Sequence, residues 1–289
     1  MIKQILALSL LSVSLLSAQI NLPRQSPAAS VSQTFAYTTA TVTYSRPAVR
    51  SRVIWGGVVP YDQVWRAGAN SATAVEFTTD VRVNGNALPK GKYALFVLPS
   101  KGAKGKADTW TFIFDTNPNA WGSFAYDGKH DALRLTIQPS KIASQERLEY
   151  VFEDITDSSA VLSLQWEKLR ASLSIVAEFK TTAQNAILKD LPAVGDKEPY
   201  SWMNAAKFYR TYDLSDSLSY VWIDRSIAIK PIYNNLWAKA EFLAEDKRYS
   251  EAVETGRKAW LEAAKDPGLE GQIPVLDKQL KAWEMKAKK

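Results

Sequence analysis

From residue 30 to about residue 179, apolar side chains recur at alternate positions in short runs: 41–44, 73–77, 93–98, 110–114, 133–137, 148–152, 161–166 and 173–179. A period of two sends successive side chains to opposite faces of a strand, and these runs are rich in β-branched and aromatic residues, so each reads as a β-strand. The segment 133–137 shows the pattern most plainly, with Leu133, Leu135 and Ile137 on one face and Arg134 and Thr136 on the other. One dry and one wet face belong to antiparallel sheets, and no helical stretch long enough for a parallel crossover intervenes. Asn84-Gly85 predicts a tight hairpin and Leu88-Pro89-Lys90-Gly91-Lys92 a second turn, so 81–98 reads as sequential antiparallel strands. The expected fold of this part is an all-β domain, an antiparallel β-sandwich or jelly roll, with a closed barrel as the alternative.

Residues 181–199 mix Lys189, Asp190, Pro192, Gly195, Asp196 and Pro199 and follow neither period, which marks a linker there. Beyond it the period lengthens to that of a helix. Trp202, Ala205, Ala206 and Tyr209 fall on one face, Leu218, Trp222 and Ile229 on another, and Lys230-Pro231 supplies a stop. Trp237, Ala240 and Ala244 open a second pair, completed by Ala252, Gly256, Ala259 and Ala263, and a last helix follows Pro274 with Leu276, Leu280, Trp283 and Ala287 on one stripe. This all-α region, 200–289, resembles the tetratricopeptide repeat, whose Trp, small-residue, Tyr and closing Pro pattern recurs about every 34 residues. The likeness is imperfect: Glu241 stands where a small residue is expected, and the second unit has no closing proline. Two such units bury little by themselves, which predicts an apolar edge that docks on the β domain or on a protein partner.

The first 18 residues add a destination. Met1-Ile2-Lys3 followed by an apolar run ending at Ala18 has the charged and hydrophobic regions of a secretory signal peptide, too short to span a bilayer. The expected location is therefore periplasmic or secreted, with no transmembrane segment after cleavage; an uncleaved N-terminal anchor is the alternative. There is no cysteine and one histidine, His130, which excludes disulfide frameworks, thiolate nucleophiles and multi-histidine metal clusters. No phosphate-binding loop, dinucleotide glycine motif, zinc-protease helix or nucleophile elbow is present, so no cofactor, metal site or catalytic residue is assigned. The net charge is +6. Ten basic residues in 46–106 face only Asp62, Glu76 and Asp80, a balance that favours an anionic small molecule or glycan. An exported protein gives no reason to expect nucleic acid.

The densest cluster of unusual residues lies in 46–70. Tyr44-Ser45-Arg46-Pro47, Arg52, Trp55-Gly56-Gly57-Val58-Val59-Pro60-Tyr61 and Val64-Trp65-Arg66-Ala67-Gly68-Ala69-Asn70 are followed by Leu88 to Tyr93 and by Trp121-Gly122-Ser123-Phe124-Ala125-Tyr126. In these motifs, over about residues 26–180, the chain resembles an uncharacterised bacterial family, domain of unknown function 2911. The resemblance implies export and a β-rich domain, sometimes with tetratricopeptide-like helices after it, and supplies neither an activity nor catalytic residues.

Two readings of the 46–70 block stand open. The guanidinium groups of Arg46, Arg52 and Arg66 suit bidentate recognition of a carboxylate or phosphate, with Trp55, Tyr61 and Trp65 as flat apolar surface and Asn70, Trp121 and Tyr126 nearby as further ligand-binding candidates. Alternatively the arginines pair with acidic neighbours and the tryptophans plug one end of the sandwich. His130, between Asp127 and Asp131, has the composition of a general base or of an exposed turn, Asp127-Gly128-Lys129-His130. These features favour an exported binding or scaffold protein, with a ligand on the β domain and a protein partner on the helical one. The alternative is a carbohydrate-active hydrolase using two carboxylates among Glu149, Glu153, Asp154, Asp157 and Glu167, for which a tryptophan-lined cleft with paired acids would be the signature. A purely structural envelope component is a third possibility.

Overall fold

The computed structural model describes residues 22–106, 108–124 and 126–288; the expected signal peptide lies outside the described residues. The chain divides into two compact units, one ending at Ala177 and the other starting at Glu178. The first holds two antiparallel sheets, the second six α-helices.

In the β unit the larger sheet contains β1 (Ala28–Phe35), β2 (Thr38–Ser45), β3 (Thr73–Phe77), β6 (Gly91–Ser100), β7 (Thr109–Asp115) and β8 (Asp131–Ile137), in the order β1-β2-β3-β6-β7-β8. The smaller contains β4 (Val81–Val83), β5 (Asn86–Leu88), β9 (Ser140–Glu153) and β10 (Ser159–Ala177), in the order β5-β4-β10-β9. Val42, Val75, Phe77, Leu95, Phe112 and Phe114 of the first pack with Val83, Leu148, Leu162, Leu164 and Ile175 of the second in one continuous core. That is the expected β-sandwich arrangement.

The Asn84-Gly85 turn forms as expected: φ is +46° and +81°, the two left-handed residues that match hairpin twist. The second turn does not continue the hairpin. β5 pairs only with β4, and β6 pairs with β3 and β7, so Leu88 to Gly91 carries the chain from one sheet to the other. The runs 161–166 and 173–179, expected as two strands, form the single strand β10. Its register shifts around Glu167, whose φ is +56°. Before the bulge Ala160, Leu162, Leu164 and Trp166 are buried; after it Ala171, Leu173, Ile175 and Ala177 are. The buried parity of β10 changes across this irregularity, so both halves of a long strand keep their apolar face on the core.

In the helical unit the expectation of a linker over 181–199 is corrected by helix α1 (Lys180–Val194). Its apolar stripe is sparse, Ala183 and Leu191 buried with Ile187 packed beside them, and Pro192 obscures it. Then follow α2 (Pro199–Thr211), α3 (Asp216–Ile229), α4 (Tyr233–Glu245), α5 (Tyr249–Ala263) and α6 (Ile273–Ala287). α2 packs chiefly on α3, α4 on α5, and α6 on α5. Small residues allow this close approach: Ala205, Ala206, Ala240, Ala252 and Ala259 are buried at the contacts. α3 ends at Ile229, where Pro231 forbids another helical turn. Among the described residues no helix is long and apolar enough to cross a membrane.

Candidate functional site

Residues 46–72 contain no named strand or helix, and they close one end of the sandwich by gripping both sheets. On one side Val49 N–H donates to Glu146 O at 2.8 Å, and Leu148 N–H donates to Pro47 O at 3.0 Å, fastening the segment to β9. On the other, Trp65 and Val97 exchange backbone hydrogen bonds of 2.8 Å each way. β3 begins opposite Leu95, so Trp65 supplies the ladder partners that β6 would otherwise lack at Val97.

The side chains carried by this segment interlock. The rings of Trp55 and Trp110 lie 4.4 Å apart, Trp55 and Trp65 6.0 Å, and Trp65 stacks on Trp166 at 5.9 Å. Trp65, Trp110 and Trp166 are buried core members and Trp55 is half-buried. Trp65 Nε1 donates to Gly68 O at 3.1 Å, and the Tyr150 hydroxyl, fully buried and thereby pushed far above its ordinary pKa, donates to Ala67 O at 2.9 Å. Gly68 is required by space: a Cβ there would lie 2.8 Å from Thr73 Oγ1. The turn is also conformationally costly, since Arg50, Ser51, Asp62, Ala67 and Asn70 take φ between +49° and +61°. Left-handed non-glycine residues persist only where surrounding contacts hold them, and they gather at ligand sites.

Between this segment, the chain around Gln25 and the bulged part of β10 lies a cavity of about 230 Å³. Arg50, Arg52, Arg66, Trp65 and Trp166 line it, together with Gln25, Ser26, Val58 and backbone around Pro47 and Gly68; no acidic side chain is among the lining residues. Arg52 is held in place by neutral acceptors only, through Nε to Val49 O at 3.1 Å and Nη2 to Ala48 O at 2.6 Å. Arg50 donates to Gln25 Oε1 at 2.9 Å, while the neighbouring Glu146 carboxylate takes the Arg50 backbone N–H instead of its guanidinium. Arg66 has a buried Nε without any hydrogen-bond partner, and burial alone pulls its pKa below the ordinary arginine value. Trp166 Nε1 is likewise buried and unpartnered.

Of the candidates read from the sequence, Arg52, Trp65 and Arg66 thus meet at the cavity, and Trp55 stands in the indole cluster behind it. The others lie elsewhere. Arg46 braces the segment to β9, with Nε on Leu148 O at 2.9 Å and Nη2 on Glu149 Oε2 at 2.8 Å. Tyr61 donates to Asp108 Oδ2 at 3.3 Å beneath Lys101. Asn70 ties Ser26 O and Ser45 Oγ at 3.2 and 3.1 Å. Trp121 is 63% exposed, and Tyr126 joins Asp131 at 2.8 Å and Arg134 at 2.7 Å, its ring on Phe96. His130 is exposed in its turn, where Asp127 Oδ1 accepts from Lys129 N–H at 3.0 Å. Two of the carboxylates considered for glycoside hydrolysis are tied to arginines, Glu149 to Arg46 and Glu153 to Arg170 at 3.0 Å.

The residues that build this end of the sandwich fall inside a stretch matched by a family model. That model, protein of unknown function (DUF2911), matches residues 26–175. The chain belongs to this family. The match takes in the DUF2911 chain's two sheets almost completely and stops before α1, so it covers the cavity lining except Gln25 and leaves out the helices. No curated protein and no solved structure matches the chain.

Two cavity residues were not singled out from the sequence. Arg50 appeared only in the charge count, and Trp166 only as part of a strand. The second left a trace: the apolar parity along 160–177 changes between Trp166 and Ala171, and a bulge next to a large aromatic often re-aims a side chain beside a site.

Proposed function

We propose that the β unit of this chain is a binding module for a small anionic molecule, acting in an exported periplasmic or secreted protein whose helices offer a surface to a protein partner. One observation carries the reading: three arginines line a single cavity, their guanidinium groups meeting neutral acceptors or nothing, and no acidic side chain stands among the lining residues. Arg50 and Arg52 are exposed and Arg66 is half-buried, and converging positive charge without an acidic neighbour in the lining concentrates anions, most strongly where the walls exclude water. The tight turns and indole stacking keep the site formed without a ligand, which limits the ordering that binding must impose.

The test is the melting temperature of the full chain in a panel of small anions at constant ionic strength, with neutral analogues of equal size. At about 100 times its dissociation constant a ligand adds about 2.7 kcal/mol, a rise of roughly 5–10 °C for a unit of this size. A rise with anions only, weakened by added salt, supports the reading. Identical melting in every anion overturns it. Export is checked separately by N-terminal sequencing of the mature protein, where recovery of Met1 would contradict cleavage.

A further inference from the structure

We infer that the cavity is shaped for the doubly charged oxyanion head of a small organic molecule, a phosphomonoester or a dicarboxylate, with Arg66 as the anchoring fork and Trp166 as a second donor. This rests on the anion-binding reading above and goes further in naming the charge and the atoms that read it.

Charge comes first. Arg46, Arg134 and Arg170 in the same unit each meet a carboxylate, at 2.8, 2.7 and 3.0 Å. The cavity's three arginines do not, nor do Arg82 and Arg147, which donate to backbone carbonyls; what sets the cavity apart is that three cations converge on it, Arg50 and Arg52 exposed and Arg66 half-buried, a number that a dianion answers better than a monoanion. The second observation is the type of orphaned atom. Arg66 Nε and Trp166 Nε1 are both donors, both belong to side chains that wall the cavity, and both are shielded from bulk water. Trp55 Nε1 and Arg170 Nε of the same unit are unpartnered too but do not line this cavity; the two donors that do are the ones an acceptor from outside the chain would satisfy. Oxyanion oxygens fit, since charge-assisted N–H···O bonds are short and strong and a guanidinium presents parallel N–H groups to two oxygens at once. Size then limits the rest of the molecule. The cavity of about 230 Å³ is far larger than the space one water needs, about 10–15 Å³, and below the usual 300–1,000 Å³ of drug-sized pockets. The occupant is therefore more than a bare ion, with a short carbon skeleton lying against the Trp65–Trp166 wall.

Isothermal titration of the full chain with glycerol 3-phosphate, succinate and acetate tests this, alongside R66K, W166F and R82K. At least one dianion is expected to bind about tenfold or more tightly than acetate, and which one does so tells phosphoryl from carboxylate recognition. R66K, which keeps the charge and loses the fork, and W166F, which keeps an aromatic ring in the stack and loses the N–H, are each expected to weaken it by about tenfold. R82K, at an exposed arginine on β4 that donates only to Gly85 O and lies outside the cavity lining, is expected to bind as the parent does. Acetate binding as tightly as the dianions, or R66K and W166F binding dianions like the parent, overturns this inference while leaving an anion site in place. No binding of any anion overturns both. The comparison of acetate with the dianions needs no variant, so it stands even if R66K or W166F fails to fold.

Discussion

Replacing Arg66 by Met should make the protein more stable and, on the proposed reading, unable to bind an anion at the cavity. Arg66 is half-buried, carries a charge that no acidic side chain answers, and hides an Nε that donates to nothing. An unsatisfied buried donor costs about 1–3 kcal/mol. Met keeps an apolar stem of similar length, so the packing of the aliphatic part survives while the penalty goes. A gain of about 1–2 kcal/mol is expected, equivalent to roughly 2–8 °C in melting temperature for a unit of this size. The gain should be insensitive to pH. Burial lowers the guanidinium pKa, so the protonated form is the one the fold disfavours, and that penalty is present at every pH below the lowered value, including the whole assay range of about pH 5 to 9. Denaturant unfolding of the parent, R66M and R46M decides the matter. R46M should move the midpoint the opposite way, because it strands Glu149 and the Leu148 carbonyl. Adding a binding anion should then raise the parent alone and close the gap to R66M. If R66M destabilises the chain as R46M does, Arg66 is a strut of the fold and the argument from its orphaned donor is wrong.

Two further outcomes follow from the same kind of reasoning. In the turn over 53–59 a Cβ at Gly57 would sit 2.4 Å from Val53 O, a clash with backbone that no rotamer relieves, so G57A should lose about 1–3 kcal/mol in denaturant unfolding and weaken anion binding with it; an unchanged midpoint would show that the turn yields. In the helical unit Arg210, its side chain only 11% exposed, joins Asp216 at 2.6 Å, Glu245 at 2.8 Å and Asp246. Burial works to raise the Asp246 carboxyl, but hydrogen bonds from Arg210 and Tyr220 and the Arg210 charge outweigh it and hold the pKa below the ordinary carboxylate value. A depressed acid pKa contributes stability above the unfolded-state value and loses it as pH falls through the folded one, so the parent should weaken in that acidic window. R210M should lose about 1–3 kcal/mol at neutral pH and show a flatter acid limb; an equal slope in both would break the link to this cluster.

How much of this was readable in the chain depends on whether the deciding feature is local. Asn84-Gly85 specifies its hairpin through the φ preferences of two residues, and the structure has it. Leu88 to Lys92 looks equally like a hairpin, yet sheet membership is settled by distant partners, and the same alternation serves a chain that changes sheets. β1 went unseen because Ala28–Phe35 carries only Val31 and Phe35 as large apolar residues and lies at a sheet edge. α1 went unseen because Ala183, Ile187 and Leu191, four apart, are a thin stripe amid polar residues and a proline. At the site, residue type pointed to the 46–70 block, but which arginines face acids could not be read: Arg46 finds Glu149 from more than a hundred positions away, whereas Arg66 finds nothing.

That difference between Arg46 and Arg66 also explains how one segment serves two ends. The end of a sandwich has to be closed, because the strands leave unpaired backbone there, and residues 46–72 close it by lending Trp65 to β6 and the 47–49 stretch to β9. A loop long enough to reach both sheets must cross the gap between them, and it does so through left-handed residues at Arg50, Ser51 and Ala67 on either side of the cavity. Arg46 and Tyr150 hold the crossing in place with satisfied bonds. With that support supplied, the Arg66 Nε and the Trp166 Nε1 are left without an acceptor, even though the Trp166 ring packs in the core. A fold that merely needed a plug would gain stability from an apolar side chain in place of Arg66, so an unpartnered cation at that point is what the proposed anion site would account for.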